Sequence, residues 1–387
     1  MNKKELELYI HIPFCVRKCS YCDFLSAPAT EQTREAYMAA LFAEIGGRAK
    51  EYRDRIVTSV FIGGGTPSLL SGEQIGGLMD RIREQFMLAQ DAEITMEVNP
   101  GTATARKLRD FYGAGINRLS IGMQSAQTQE LKTMGRIHDF DGFCQVYREA
   151  VEAGFTNINV DVMSGLPGQT LASYKDTLEK VLHLEPMPQH ISAYSLIVEE
   201  GTPFAAMADR GELPLPEEDT ERAMYEETIE VLAGYGFHRY EISNYATKGQ
   251  ECRHNVGYWI RRDYLGFGIG AASLIDNVRF QNGRDLNTYL AHPLDCREEE
   301  QVLTVPEQME ETMFLGLRLI KGVSYDAFEK QYGKSPEEVY GEVIARNVAD
   351  GLLTVKTEED NGKEERFLAL TKRGLDLSNY VMAQFLF

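Results

Sequence analysis

The chain is predicted to adopt an α/β fold, a partial (β/α)6 TIM-like barrel followed by a small C-terminal winged-helix-like α+β module. Three observations carry this expectation. Short β-branched runs alternate with amphipathic stretches through the first half; polar and glycine-rich residues cluster just after the strand ends; and the rhythm changes after Phe204. Alternation of this kind implies parallel strands joined by right-handed crossovers. Parallel β/α proteins build their sites at the carboxyl ends of such strands.

In chain order the expected strands are Leu6–His11, Val57–Ile62, Glu93–Val98, Asn117–Ile121, Asn157–Met163 and His190–Ser195. The helical stretches between them are Glu35–Arg48, Glu73–Phe86, Thr104–Tyr112, Gly142–Ala153 and Ser173–Leu184. Six units, with a seventh strand at Arg239–Ser243, fit an open barrel better than a closed eightfold one. A long helix is expected over Glu217–Tyr235, then a Gly- and aromatic-rich stretch to about Ala272. The charged run Arg297–Gln301 reads as a boundary. From Pro306 the pattern is helix, short helix, helix, strands near Leu352–Lys356 and Phe367–Leu370, and a final helix. The expected domains are therefore residues 1–205, a barrel extension over 206–300, and a C-terminal module over 301–387.

Composition is that of a soluble globular chain: 387 residues, 43% hydrophobic and 26% charged, which excludes disorder, collagen and coiled coil. Forty Lys and Arg against 59 Asp and Glu give a net charge of −19. Such a surface repels nucleic-acid phosphates and anionic lipid, so no nucleic-acid partner is expected. The acidity of Glu358, Glu359, Asp360, Glu364 and Glu365 argues against DNA binding by the C-terminal module as well. The start, Met1-Asn2-Lys3-Lys4-Glu5-Leu6-Glu7, has no apolar stretch of signal-peptide length, and no run approaches the roughly 18 apolar residues of a spanning helix. A cytoplasmic protein without a transmembrane segment is expected.

Of six cysteines, Cys144, Cys252 and Cys296 are scattered, while Cys15, Cys19 and Cys22 form a CxxxCxxC triplet immediately after the first strand. In a reducing cytosol such spacing suggests a metal site more than a disulfide. A zinc site would need a fourth protein ligand and normally pairs two CxxC-like knuckles. Three thiolates on one loop can instead hold three irons of a 4Fe–4S cube and leave the fourth open to a small chelating molecule.

CxxxCxYC after the first strand of a β/α protein resembles the radical S-adenosylmethionine superfamily. The resemblance extends through Tyr9-Ile-His-Ile-Pro13, Gly63-Gly-Gly-Thr-Pro-Ser68, Glu97-Val-Asn-Pro100, Ser120-Ile-Gly-Met-Gln124, Asp161-Val-Met-Ser-Gly-Leu-Pro-Gly168 and His254-Asn-Val-Gly-Tyr-Trp259. Together these are similar to the oxygen-independent coproporphyrinogen III oxidase group, and most closely to its HemW-type branch, the heme chaperones. The resemblance implies a barrel of the radical SAM type with three cofactors: a 4Fe–4S cluster on Cys15, Cys19 and Cys22, S-adenosylmethionine at the open iron, and heme. It also implies acceptor hemoproteins as partners, with respiratory-chain proteins among the candidates.

Residue by residue, the resemblance assigns Gly64, Gly65 and Thr66 to the amino-acid end of S-adenosylmethionine and Glu97 to its amine or ribose. Locally, a glycine-rich turn and a helix-capping carboxylate explain the same residues. Gln124, Arg136 and Asp161 resemble positions lining a second S-adenosylmethionine site, although each has a credible structural role. Tyr9, Tyr21 and Phe24 complete the cofactor-binding set, Tyr21 by packing on an adenine. Phe24 also discriminates: the true oxidases carry a fourth cysteine there, and the heme-chaperone branch carries phenylalanine. The first strand, beginning near Leu6, leaves no room for the oxidases' preceding arm. Both departures count against coproporphyrinogen decarboxylation.

Cys252-Arg-His254-Asn255-Val-Gly-Tyr258-Trp259 contains the chain's only tryptophan. A neutral imidazole is a common heme-iron ligand and flat aromatics suit a porphyrin; a packed loop histidine is the local alternative. With the HNxxYW resemblance, His254 is expected to ligate heme iron, with Cys252 as the lesser candidate. The expected function is heme binding and transfer. The alternatives are an oxidative decarboxylase making protoporphyrinogen IX, a radical methyltransferase, and a degenerate member whose cluster is purely structural.

Overall fold

The computed structural model describes residues 3–360 and 363–386. Met1 and Asn2, where the start of the chain was read, lie outside the described residues. The first half runs β1 (Glu5–Ile12), α1 (Glu31–Arg48), β2 (Ile56–Gly64), α2 (Gly72–Gln85), β3 (Met87–Val98), α3 (Ala105–Gly113), β4 (Arg118–Gln124), α4 (Thr128–Thr133), α5 (Phe140–Ala153), β5 (Ile158–Ser164), α6 (Leu171–Leu182) and β6 (His190–Ser195). It continues with α7 (Pro203–Asp209), α8 (Glu218–Gly234), β7 (His238–Arg239), β8 (Asn244–Ala246), α9 (Arg253–Trp259), β9 (Tyr264–Phe267), β10 (Ala272–Ile275), β11 (Val278–Asn282), α10 (Leu286–Ala291) and β12 (Arg297–Val302). The last part holds α11 (Val305–Gly316), β13 (Val323–Ser324), α12 (Tyr325–Tyr332), α13 (Pro336–Ala349), β14 (Leu353–Asp360), β15 (Lys363–Leu370), α14 (Lys372–Asp376) and α15 (Ser378–Met382).

Strands β1 to β6 are parallel neighbours in sequence order, the six-unit partial barrel. Local signals start the helices between them. Ser71 Oγ accepts the Gln74 N–H at 3.1 Å while Gln74 Oε1 accepts the Ser71 N–H at 2.9 Å, a reciprocal cap on α2. Thr170 and Ser173 cap α6 in the same way, and Gly154, at φ 111°, ends α5 in a conformation that glycine adopts without strain.

The strand periodicity of two sorts chemistry to two faces. On β1, Leu6, Leu8, Ile10 and Ile12 are fully buried in the main core beneath the helices. Glu7, Tyr9 and His11 point the other way, into the barrel. The interior is correspondingly polar: Ser59 on β2, Glu93 and Glu97 on β3, Arg118 and Ser120 on β4, Asn159 and Asp161 on β5, His190 and Ser192 on β6. Register aligns Tyr9 with Phe61, Phe61 with Thr95, and Thr95 with Arg118. One cavity is lined at once by residues of β2 through β6, which is how the curled sheet closes around its contents.

One expectation is corrected. Arg239–Ser243 is not a seventh parallel strand. It is the turn of a short antiparallel pair, β7 and β8, that adds to β6. Arg297–Gln301, expected as a boundary, lies in strand β12, the outer edge of a twelve-stranded sheet beside β11. Its glutamates are exposed, as expected of an edge kept from further pairing. Residues 206–300 thus contribute strands to both margins of the barrel sheet, with β9 parallel to β1.

The C-terminal part has its own core of Met313, Leu317, Phe328, Ile344, Leu368 and Phe385. Three helices pack on a sheet of order β13-β15-β14. It is fastened to the barrel by a buried Arg261–Glu311 ion pair at 2.9 Å and by Arg318 lying 4.3 Å over the Trp259 ring. Among the described residues no helix is long and apolar enough to cross a membrane.

Candidate functional site

The cysteines occupy the loop between β1 and α1, and that loop is tied down at several points. Its neck closes through Cys15 N–H to Ala27 O at 3.1 Å and Ala27 N–H to Pro13 O at 3.0 Å. Its tip rests on the turn after α4, through Ser20 N–H to Met134 O at 2.9 Å and Arg17 Nη2 to Gly135 O at 2.6 Å. A third anchor comes from β1. His11 Nε2 donates to Leu25 O at 2.9 Å while Nδ1 accepts the Tyr9 hydroxyl at 3.0 Å, a tautomer inferred from this network. Burial lowers the His11 pKa and so favours the neutral ring these bonds need.

Around the loop, Cys15, Cys19, Cys22, Tyr21, Phe24, Gly64, Gly65, Thr66, Glu97, Gln124, Arg136 and Asp161 line one cavity at the carboxyl ends of the strands. Two of the thiols have polar side chains beside them. Thr66 Oγ1 lies 3.4 Å from Cys15 Sγ and Arg136 Nη1 lies 3.8 Å from Cys19 Sγ. Burial raises the Cys22 pKa, and Cys19 and Cys15 raise it further, a mutual repulsion that binding positive iron would relieve. Among the described residues no His, Cys, Asp or Glu side chains converge tightly enough for a single metal ion. Three thiols on one loop are the number and type of ligand that a 4Fe–4S cube with one open iron would take.

The glycines make room. A Cβ on Gly65 would sit 2.7 Å from Phe14 O and 2.9 Å from Ile12 O. Gly64 has φ 112°, and a Cβ there would strike the His11 ring. The Gly64 N–H donates to Glu97 Oε2 at 3.0 Å. Glu97 is pushed up to about 7 by burial and then by neighbouring Asp161, against that amide hydrogen bond. Asp161 is itself raised by burial, opposed by Asn159 and Ser192. Two carboxylates held above their ordinary range in a glycine-walled cavity suit a ligand carrying positive charge, such as the ammonium and sulfonium of S-adenosylmethionine. Arg136 bridges the two ends of the site, donating to Gly122 O at 2.6 Å. Gln124, at the end of β4, adopts φ 69°, in the left-handed region that non-glycine residues uncommonly occupy.

A second, deeper cavity of about 440 Å³ shares Tyr21, Cys22, Phe24, Glu97, Gln124 and Asp161 with the first and descends into the barrel. Tyr9 lines neither; its hydroxyl serves His11 instead.

His254, expected to ligate heme iron, also lines neither cavity. It lies on α9, which plugs the amino-terminal end of the barrel. The ring is 1% exposed, with Nδ1 2.8 Å from Ser59 Oγ and Nε2 3.0 Å from the Tyr258 hydroxyl, so both nitrogens are engaged. Phe61 stacks on it at 5.2 Å. Burial, with Arg118 and Arg262 nearby, lowers its pKa to about 3. Cys252, the lesser candidate, is fully buried and faces Glu93 Oε1 at 3.5 Å. Glu93 accepts the Arg253 and His254 N–H groups at 3.1 Å each, capping α9. The sequence reading missed Glu93, Ser59, Arg118 and the anchoring role of His11. Their only signal was a polar residue at every second position of an otherwise apolar strand.

The chain is similar to known proteins along its whole length. The radical SAM superfamily model matches residues 9–181 and the HemN C-terminal domain model matches residues 303–377. The heme chaperone HemW of Lactococcus lactis is 36% identical over 387 residues, covering 100% of this chain and 98% of that protein. The heme chaperone HemW of Escherichia coli is 41% identical over 284 residues, 73% of each. Among solved structures, the coproporphyrinogen III oxidase HemN of Escherichia coli, a radical SAM enzyme, superposes with a TM-score of 0.83 at 26% identity, covering 99% of this chain and 90% of that one.

Proposed function

The chain belongs to the HemW heme chaperone family of radical SAM proteins, and from that premise we propose that it binds heme at the mouth of the barrel and passes it to acceptor hemoproteins. One observation carries the reading. Beside Cys22, the rim of the deeper cavity exposes large apolar side chains, Phe24 at 62%, Ile197 at 68% and Tyr194 at 40%. Apolar surface gathered at an open cavity is where a flat apolar ligand gains most from leaving water.

In this reading Cys15, Cys19 and Cys22 hold the 4Fe–4S cluster. Gly64, Gly65, Thr66 and Glu97, with Tyr21, cradle S-adenosylmethionine. Gln124 and Asp161 line the deeper cavity as well and, with Arg136 beside Cys19, would border a second molecule, and Tyr9 acts through His11 on the loop. When bound, the cluster and S-adenosylmethionine supply one-electron chemistry. The protein works in the cytoplasm, and respiratory-chain hemoproteins are its candidate acceptors.

Anaerobic titration of hemin into cluster-reconstituted protein, followed by heme absorption and by the emission of Trp259, tests this. Saturation near one heme per chain, weakened at least severalfold by Phe24→Ala with an unchanged melting temperature, supports it; unsaturable or absent binding overturns it. The likeness to HemN favours a second reading, oxidative decarboxylation of coproporphyrinogen III. Formation of vinyl products in proportion to S-adenosylmethionine consumed would establish that reading.

A further inference from the structure

The barrel floor carries a charge that the cluster site does not use. Arg118 begins β4, six residues before Gln124, or roughly 20 Å deeper at about 3.3 Å per residue. Its side chain is 2% exposed and lines the 440 Å³ cavity. Among the described residues it makes no hydrogen bond and no ion pair within 4 Å, and its Nε is buried without a partner. A guanidinium, always charged, is costly to hold this way unless something in the cavity answers it.

The groups packed near it favour its charge but, among the described residues, none hydrogen-bonds to it. Glu93, Asp161, Tyr240 and Cys252 all face Arg118. The Glu93 oxygens are taken by the α9 amides and the Cys252 thiol. Asp161 Oδ1 accepts from Asn159 Nδ2 at 2.7 Å. The Tyr240 hydroxyl is engaged with His190 at 2.8 Å. Asn255, on the helix that closes the floor, lines the same cavity, and among the described residues its side-chain amide makes no hydrogen bond. A charged donor and a neutral donor are thus left open at the closed end of a cavity whose mouth is apolar.

We infer that the barrel floor is a carboxylate-binding subsite, in which the guanidinium of Arg118 and the amide of Asn255 receive an acidic arm of the ligand whose apolar body enters at Phe24 and Ile197. The inference rests on the heme reading, under which that arm is a propionate. A guanidinium matches a carboxylate with two parallel N–H···O bonds, a geometry no apolar wall can replace.

The test compares hemin with its dimethyl ester on the full-length, cluster-reconstituted chain. The wild type is expected to bind hemin at least tenfold more tightly than the ester, and Arg118→Gln is expected to bind the two alike, near the wild type's ester affinity. Equal binding of hemin and ester by the wild type overturns the inference and leaves the heme reading standing, as does discrimination retained by Arg118→Gln. If Arg118→Gln does not fold, Asn255→Leu replaces it: reduced discrimination supports the subsite and full discrimination overturns it. No hemin binding by the wild type overturns both this inference and the heme reading.

Discussion

The imidazole Nδ1 of His254 lies 2.8 Å from the Ser59 hydroxyl, joining positions 195 residues apart and fastening α9 across the bottom of the barrel. His254 is thus a bolt in the closed end, and the chemistry of the cysteines proceeds at the other.

Replacing it separates the two roles. His254→Ala leaves a cavity beneath Phe61 and strands two hydroxyls, those of Ser59 and Tyr258, at a cost of about 3 kcal/mol. The unfolding midpoint is expected to drop accordingly, while hemin bound per folded chain stays unchanged. Loss of hemin binding with undiminished stability would return His254 to the role of ligand.

At the cluster end, Gly65→Ala places a methyl against the Phe14 and Ile12 carbonyls, backbone atoms that cannot swing aside as a side chain does. The strand that delivers Cys15 must shift. Iron and sulfide per chain after reconstitution should fall well below wild type with the melting temperature largely kept. Full incorporation would show that the loop tolerates the displacement.

Glu97 is pushed up to about 7 by burial and by Asp161, so a cationic ligand that needs its carboxylate must displace a proton below that pH. Affinity for S-adenosylmethionine should therefore weaken as pH falls, by about tenfold per unit below about 7. Glu97→Gln should bind at least tenfold more weakly than wild type at pH 8 and lose most of this pH dependence, as measured by equilibrium dialysis of labelled ligand. A wild-type affinity flat from pH 8 to 6 would show that Glu97 does not meet the cation.

Burial raises the Glu7 carboxyl to about 8, with Arg262 opposing the shift. The unfolded chain releases that proton near 4.5 and the folded chain only near 8. Between those values the native state binds more protons, and the stability Glu7 contributes declines as pH rises. Glu7→Gln removes this slope. Its melting temperature relative to wild type should climb from pH 4.5 to 8 and level off above. A difference constant over that range would mean that Glu7 is ionised in the fold.

Much of the site was legible without coordinates because its residues follow strand ends. Cys15, Gly64, Glu97 and Gln124 each sit where a parallel strand meets its loop. A parallel sheet places such positions side by side whatever the helices between them contain. Arg118 was missed, and the surroundings of Tyr9 and His254 were not legible, for the opposite reason. Each is an inward-facing or plugging residue whose neighbours come from distant strands. An aromatic-rich HNxxYW run looks the same in sequence whether it meets a ligand or a sheet.

By itself the sequence determined the six β/α units, the cysteine loop with its glycine cradle, and the C-terminal module, since each is set by local periodicity, capping and turn chemistry. Only the tertiary structure decided that α9 closes the barrel, that His254 has both nitrogens engaged, and that Arg118 faces an open cavity with no hydrogen-bond partner among the described residues. Those facts depend on which side chains from β2, β3 and β4 share one interior, and long-range packing, not chain spacing, sets that.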